Sequence, residues 1–297
     1  MIDNLFNPLT SADFDQQTEF LLDGFIAKRL ITLIYANGGM GKSFLSMAIA
    51  KYAAIQGMDV YYLDFDNSLV TLTERNVEQL LLNPCPSLRY VHASKVQMTA
   101  NELLQNIANK AYGQCYQNSL FVFDSLRDFA DVNNDAAAMR LGESLKKIRE
   151  AGGTIIGLHH SNKDGKNYQG SNNLRNSIDN MYKLIKIDAP SDQIRWILEV
   201  EKERVGITDQ ALAVKVNDLS MMTLDITTAR LTDAEQVFIT KIKVALTETP
   251  GLNKTELLET AGYTKDDKTA RDRLDQFETI YWQSTKVKNA FTYHLLN

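Results

Sequence analysis

Cysteine is almost missing from this sequence: Cys85 and Cys115 are the only two. They show no CxxC spacing and no neighbouring histidine cluster, so a zinc site is not expected, and two reduced thiols point to a cytoplasmic setting. Long apolar runs are missing as well; none approaches the ~20 residues that a membrane span needs. The opening MIDNLFNPLTSADFDQQTEF is acidic and lacks the basic-then-apolar order of a signal peptide. The expectation is a soluble, cytoplasmic chain with no membrane partner. Nor is there an excess of positive charge. The formal net charge of -5 excludes the global basic field of a dedicated nucleic-acid binder, so any such contact must use local patches.

What is present is a regular alternation. The length of 297 residues leaves room for one α/β core and a small appendage. After a polar arm, residues 1–20, apolar runs that suit buried strands alternate with helical periods. LITLIYA, DVYYLDF, LRYVHA, SLFVFD and TIIGLHH read as strands. Between them GKSFLSMAIAKYAAIQG, LVTLTERNVEQLLL, ELLQNIANKAYG and AAAMRLGESLKKIREAGG read as helices. Strand and helix alternate in units too long for hairpins, which predicts an α/β fold with a doubly wound, mainly parallel sheet. Antiparallel additions are expected from MYKLIKI through RWILEVEK to ALAVKV. The pattern breaks near Leu224 to Leu231, so the core is expected over residues 21–228 and a second domain over 229–297.

The segment Ala36-Asn37-Gly38-Gly39-Met40-Gly41-Lys42-Ser43 follows the first strand and precedes a long helix, the context a Walker A phosphate loop requires. Its glycines let successive backbone N–H groups curl inward toward phosphate oxygens, and the helix N-terminus adds partial positive charge. Lys42 would supply a point charge to the terminal phosphates and the Ser43 hydroxyl would ligate Mg²⁺. Ala36 stands where the motif has its first glycine; alanine is the smallest replacement.

Acidic groups stand where such a loop needs them. Asp124 ends the strand SLFVFD, the position of a Walker B carboxylate that holds Mg²⁺ through water, although a strand-end aspartate capping the next turn would read alike. DVYYLDFDNS ends with Asp64 and Asp66; Asp66 lies past the apolar stretch and is the candidate to orient the attacking water. TIIGLHH ends in His159 and His160, of which His160 is the candidate sensor of the terminal phosphate, His159 being the one to pack or bond locally. A neutral buried histidine is the bland alternative.

Taken together, ANGGMGKS, VYYLDFDNS, LFVFDSLRDFADVNNDAAA and TIIGLHHSNKDGKNYQGSNNLRNSID resemble the RecA-type ATPases of the RepA and DnaB hexameric-helicase branch over about residues 21–216. The resemblance implies ATP as the nucleotide with Mg²⁺ as its metal, a hexameric homo-oligomer, and single-stranded DNA in a central channel. That family usually has glutamate at the position of Asp66. EVEKERVG resembles the KxR motif with which related rings reach a neighbour's nucleotide, which would make Arg204 a finger acting in trans with Lys202 beside it. Both are expected on a strand, pointing the same way; a solvated face of charge pairs would look similar. The loop from Ser161 to Asn176 would face the channel with Lys163, Lys166, Tyr168 and Arg175.

Toward the end of the chain, NKTELLETAG reads as a short helix capped by Asn253 and Glu256, KTARDRLDQFE as a second helix, and TIYWQSTKVKNAFTYHLL as two strands around a basic tip from Lys286 to Asn289. That order fits a winged helix. Lys268, Arg271, Arg273, Lys286 and Lys288 would face DNA, yet Asp266, Asp267, Asp272 and Asp275 interleave with them, and winged helices also contact proteins. Two readings follow: a DNA-dependent ATPase acting as a ring-shaped replicative helicase, or a regulatory or assembly ATPase that does not translocate.

Overall fold

The computed structural model describes residues 8–14, 17–162, 168–287 and 290–296. Lys163, Lys166 and Lys288, three of the expected basic contacts, lie outside the described residues. The chain divides into two compact units, Met1–Ile226 and Thr227–Asn297.

In the first unit a small antiparallel hairpin, β1 (Phe20–Leu22) and β2 (Ile26–Ala27), precedes the repeating core. The core runs β3 (Ile31–Ala36), α1 (Lys42–Ile55), β4 (Asp59–Asp64), α2 (Leu69–Glu74), β5 (Arg89–His92), α3 (Ala100–Asn109) and β6 (Ser119–Asp124). It continues with α4 (Leu126–Phe129), α5 (Asp135–Glu150), β7 (Thr154–His160), α6 (Asn172–Ser177), β8 (Asn180–Ile187), β9 (Gln193–Lys202), β10 (Gln210–Lys215) and β11 (Met221–Leu224). The strands β3 to β11 form one sheet in the order β11-β10-β9-β8-β3-β7-β6-β4-β5. From β8 to β5 every pairing is parallel, and from β8 to β11 every pairing is antiparallel. This is a doubly wound, mainly parallel α/β sheet with antiparallel strands at one edge. MYKLIKI, expected to open the antiparallel part, is itself parallel to β3; the reversal begins with β9.

Apolar alternation builds the layers. β3 is buried at all six positions, as a central parallel strand covered on both faces must be. Ile31, Leu33 and Tyr35 enter a core shared with Leu104 of α3 and Leu141 and Leu145 of α5. Ile34 and Ala36 enter the opposite core with Leu45 and Ile49 of α1, the period-2 partition of a strand.

Two elements differ from the sequence reading. LVTLTERNVEQLLL is not one helix: α2 stops at Glu74, Asn76 takes φ 54°, and a π-helical turn follows at Glu78–Leu82. Asparagine tolerates the left-handed region, which is why the helix can end there. The segment expected as a long loop from Ser161 contains α6, whose N-terminus is capped by the Ser171 hydroxyl accepting from Asn173 N.

The short helix α7 (Ile226–Ala229) spans the division between the units. The second unit comprises α8 (Asp233–Glu248), α9 (Lys254–Thr260), α10 (Lys268–Gln276) and an antiparallel hairpin, β12 (Trp282–Val287) with β13 (Ala290–Leu295). Capping boxes at Thr232/Glu235 and Asn253/Glu256 start α8 and α9. Phe238, Ile242, Leu257, Leu274 and Trp282 form its core, and the Trp282 indole donates to the Leu274 carbonyl at 3.0 Å. Among the described residues no helix is long and apolar enough to cross a membrane.

Candidate active site

The carboxyl ends of parallel strands are where open α/β sheets place their ligands, and four sequence-marked segments meet there. β3 delivers Ala36 and the glycine turn, β4 delivers Asp64 and Asp66, β6 delivers Asp124, and β7 delivers His160. The strand register puts Ala36 beside His160 and Asp64 beside Asp124.

The turn takes its shape from Gly39 and Gly41, with φ of 76° and 88°, a region that glycine enters without steric cost. Ala36 is not among the described residues with positive φ, so alanine in place of the motif's first glycine strains nothing. Lys42 opens α1 and is buried; its Nζ donates to the carbonyls of Ala36 at 2.9 Å and Asn37 at 3.0 Å. The Ala36 carbonyl also accepts from Ser161 N at 3.2 Å, and the Ser161 hydroxyl donates to Asn37 Oδ1, so the end of β7 is tied to the turn.

Asp124 is buried and accepts a hydrogen bond from Tyr62 Oη at 2.9 Å, and the nearby Ser43 hydroxyl favours its charged form. Burial and the adjacent Asp64 carboxylate push its pKa up to about 6. A buried acid beside a serine hydroxyl at the phosphate loop fits a P-loop Mg²⁺ site, in which Ser43 and Asp124 would hold the ion and its water and phosphate oxygens would fill the remaining positions. Among the described residues there is no cluster of three or more acidic, histidine or cysteine side chains that would hold a metal without such help.

The two carboxylates at the end of β4 have different surroundings. Asp64 is fully buried; its Oδ1 accepts from Asp66 N at 3.1 Å and Asn67 N at 3.0 Å, and its Oδ2 accepts from Tyr90 Oη at 2.6 Å. It folds the turn that presents Asp66. The Asp66 side chain is 27% exposed and pairs with Arg127 of α4. Of the two, Asp66 is the one with reach toward a water molecule.

His160 Nε2 is buried and has no hydrogen-bond partner among the described residues. Its pKa is lowered by burial and then by the charges of Lys42 and Arg127. His159 is occupied locally: its Nε2 meets the Gln169 carbonyl at 2.5 Å and its ring lies 5.1 Å from that of Tyr168. Burial takes its pKa down to about 4.

Of the nucleic-acid residues expected on the loop from Ser161, Tyr168 and Arg175 are among the described residues. Tyr168, expected to offer its ring to bases, is turned inward against Tyr35 and His159, with its hydroxyl buried. An apolar ring next to the core gains more from packing than from water. Arg175 lies in the last turn of α6, where its carbonyl accepts from Lys202 Nζ at 2.7 Å.

Lys202 and Arg204 stand at the opposite end of the sheet from the glycine turn. Lys202 also donates to the Ile178 carbonyl, and Arg204 Nη1 pairs at 3.1 Å with Asp179, which in turn accepts from Ile31 N at the start of β3. The length of β3 therefore separates them from their own phosphate loop, about 17 Å at ~3.3 Å per residue. β9 ends at Lys202, so Arg204 sits in the bend beyond it rather than on the strand. Its side chain is half exposed.

Sequence reasoning left three contributors unassigned. Arg127 lies three residues after Asp124 in a segment that was recognised, but only the fold brings it to Asp66. Ser161 carried no local signal. Trp196, which reads as an ordinary core residue of β9, donates its indole N–H to the Met40 carbonyl at 2.6 Å.

Fold and site together define an α/β nucleotide-binding domain with a P-loop. A family model described as AAA domain matches residues 9–166, more than half of the chain, and the chain belongs to that family. No curated protein matches it. Among solved structures, flagellar accessory protein FlaH from Methanocaldococcus jannaschii is similar over 73% of this chain and 97% of its own, at 13% identity and a TM-score of 0.48.

Proposed function

We propose that the chain is an ATP-hydrolysing motor of the RepA-like kind, acting on DNA as a ring of identical subunits. The observation that carries this reading is the division of the site between the two ends of one sheet. Lys42, Ser43, Asp66, Asp124 and His160 gather at the carboxyl ends of the parallel strands, and Arg204 lies at the far end, beyond reach of its own loop.

ATP lies along the glycine turn, with Lys42 exchanging the Ala36 and Asn37 carbonyls for phosphate oxygens. Ser43 and Asp124 would hold Mg²⁺, which would supply positive charge beside the phosphates. Asp66 orients the attacking water, and His160 offers its unpartnered Nε2 to the terminal phosphate. Loss of that phosphate reaches Ser161, the next residue, which is tied both to the turn and by a β-bridge to Tyr168. Arg204 supplies a positive charge to the neighbouring subunit's phosphates after leaving Asp179. The second unit is read as a winged helix that contacts DNA or a protein.

A non-translocating regulatory or assembly ATPase is the second reading, favoured by the net charge of -5 and by the inward-turned Tyr168. ATP turnover measured with and without single-stranded DNA, beside Lys42→Ala, separates the two. Stimulation by DNA that vanishes in the variant supports the motor. Turnover indifferent to DNA discards it in favour of the second reading.

A further inference from the structure

We infer that Trp196 is the residue that sets the geometry of the phosphate loop, and that its indole reports nucleotide at that loop. The inference rests on the reading of the loop as the ATP site.

Within the turn, a side chain added at Gly38 or Gly39 would meet nothing within 4 Å. Those two glycines serve the backbone path and do not anchor it. Gly41 is different. A Cβ there would lie 2.9 Å from Cζ2 of Trp196, and Gly41 is also in the left-handed region at φ +88°. The same indole donates to the carbonyl of the preceding Met40 at 2.6 Å. One side chain therefore holds the Met40–Gly41 peptide by a hydrogen bond and blocks it by ring contact.

This contact has a consequence for anion binding. The peptide unit is planar and trans, so its C=O and N–H point in opposite directions. Fixing the Met40 carbonyl on the indole turns the Gly41 N–H away from it, leaving that donor for the concave side of the loop where phosphate oxygens bind. Gly41 also precedes the first residue of α1, so the same contact sets where the helix N-terminus and Lys42 begin. Trp196 can act as a rigid stop because it is fully buried and its strand is hydrogen-bonded on both sides, by β8 and β10.

Trp196 is thus a positioning residue. Phenylalanine at this place keeps most of the ring and removes the donor. The expected result for Trp196→Phe is a KM for ATP raised about tenfold, the size of one lost hydrogen bond, with kcat changed less than about threefold. A merely structural contact behaves otherwise, lowering the folded fraction and with it kcat while KM stays put.

The second arm is spectroscopic and does not need that variant. The sequence holds two tryptophans, so Trp282→Phe leaves Trp196 as the remaining indole. Its emission is expected to change on adding Mg²⁺–ATP and to saturate together with ATP binding measured by equilibrium dialysis on the same protein. Emission that stays constant while dialysis shows ATP bound overturns the inference, as does a folded Trp196→Phe protein with wild-type KM. Dialysis showing no ATP bound to the wild-type chain overturns the ATP reading itself, and this inference with it.

Discussion

Arg127 Nη2 and Asp66 Oδ1 stand 2.5 Å apart, across the space between the turn after β4 and helix α4. The pair joins two segments that follow the second and fourth strands of the core and holds the exposed carboxylate at the mouth of the site. Asp64, two residues earlier, is sealed in by backbone amides and Tyr90.

The two aspartates should respond differently to the same change. Asp66→Asn is expected to lower kcat about a hundredfold with ATP affinity nearly unchanged, the usual weight of a base that acts only in the transition state. Its stability should move by no more than ~1 kcal/mol, since a part-exposed ion pair contributes little. Asp64→Asn should destabilise the fold by about 3 kcal/mol, because an amide cannot accept all the buried donors that now converge on it. Steady-state kinetics and urea unfolding of both variants check this; an Asp66→Asn enzyme with normal kcat removes Asp66 from the mechanism.

Asp124 should trade stability for function. Its pKa is raised from 3.8 to about 6, so between these values the folded state binds more protons than the unfolded chain, and stability falls as pH rises through that window. Asp124→Asn keeps an acceptor for Tyr62 and removes the charge. At pH 7 and without Mg²⁺ it is expected to melt a few degrees higher than the wild type while losing Mg²⁺-dependent turnover. A lower melting temperature would contradict the account of why the pKa is raised.

His159 supplies the opposite slope. Its pKa is lowered from 6.5 to about 4, so here the unfolded chain binds more protons, and stability is lost as pH falls from 6.5 toward 4. The two residues offset one another across most of the same range. His159→Asn should therefore lessen the loss of melting temperature on acidification from pH 6 to pH 4.5, with His160, whose pKa is also lowered, still contributing a slope of the same sign. Thermal melts across that range decide it; an unchanged profile means His159 is not the group responsible.

Arg204 can be tested by mixing. Arg204→Ala should fold normally, because Arg149 still pairs with Asp179 at 2.8 Å, and should lose most of its turnover. Lys42→Ala loses turnover for a separate reason. If Arg204 serves a neighbour, mixed rings contain interfaces with Lys42 on one side and Arg204 on the other, about a quarter of them under random assembly. Activity should reappear on mixing two inactive proteins. Mixtures no more active than their components place Arg204 outside the neighbour's site.

The sequence by itself determined the repeating unit and most of the site's chemical parts. Strand–helix alternation marked the parallel sheet because buried strands must be apolar on both faces, as β3 is. As candidates, Lys42 and Ser43 were legible because they open the helix after a glycine turn, and Asp124 and His160 because each ends a strand, positions that local patterning exposes. Capping boxes at Thr232 and Asn253 were legible for the same reason: both partners lie within one turn.

Tertiary structure alone decided which of these groups meet and which way they face. The Asp66–Arg127 pair, the Ser161–Asn37 tie and the Trp196 contact with Met40 and Gly41 join segments far apart in the chain. Tyr168 shows the limit from the other side: an aromatic between polar residues reads as exposed until the fold places a core beside it. Local patterning records a residue's own preference for strand, helix or turn, whereas long-range contacts depend on strand order and register, which no single segment encodes.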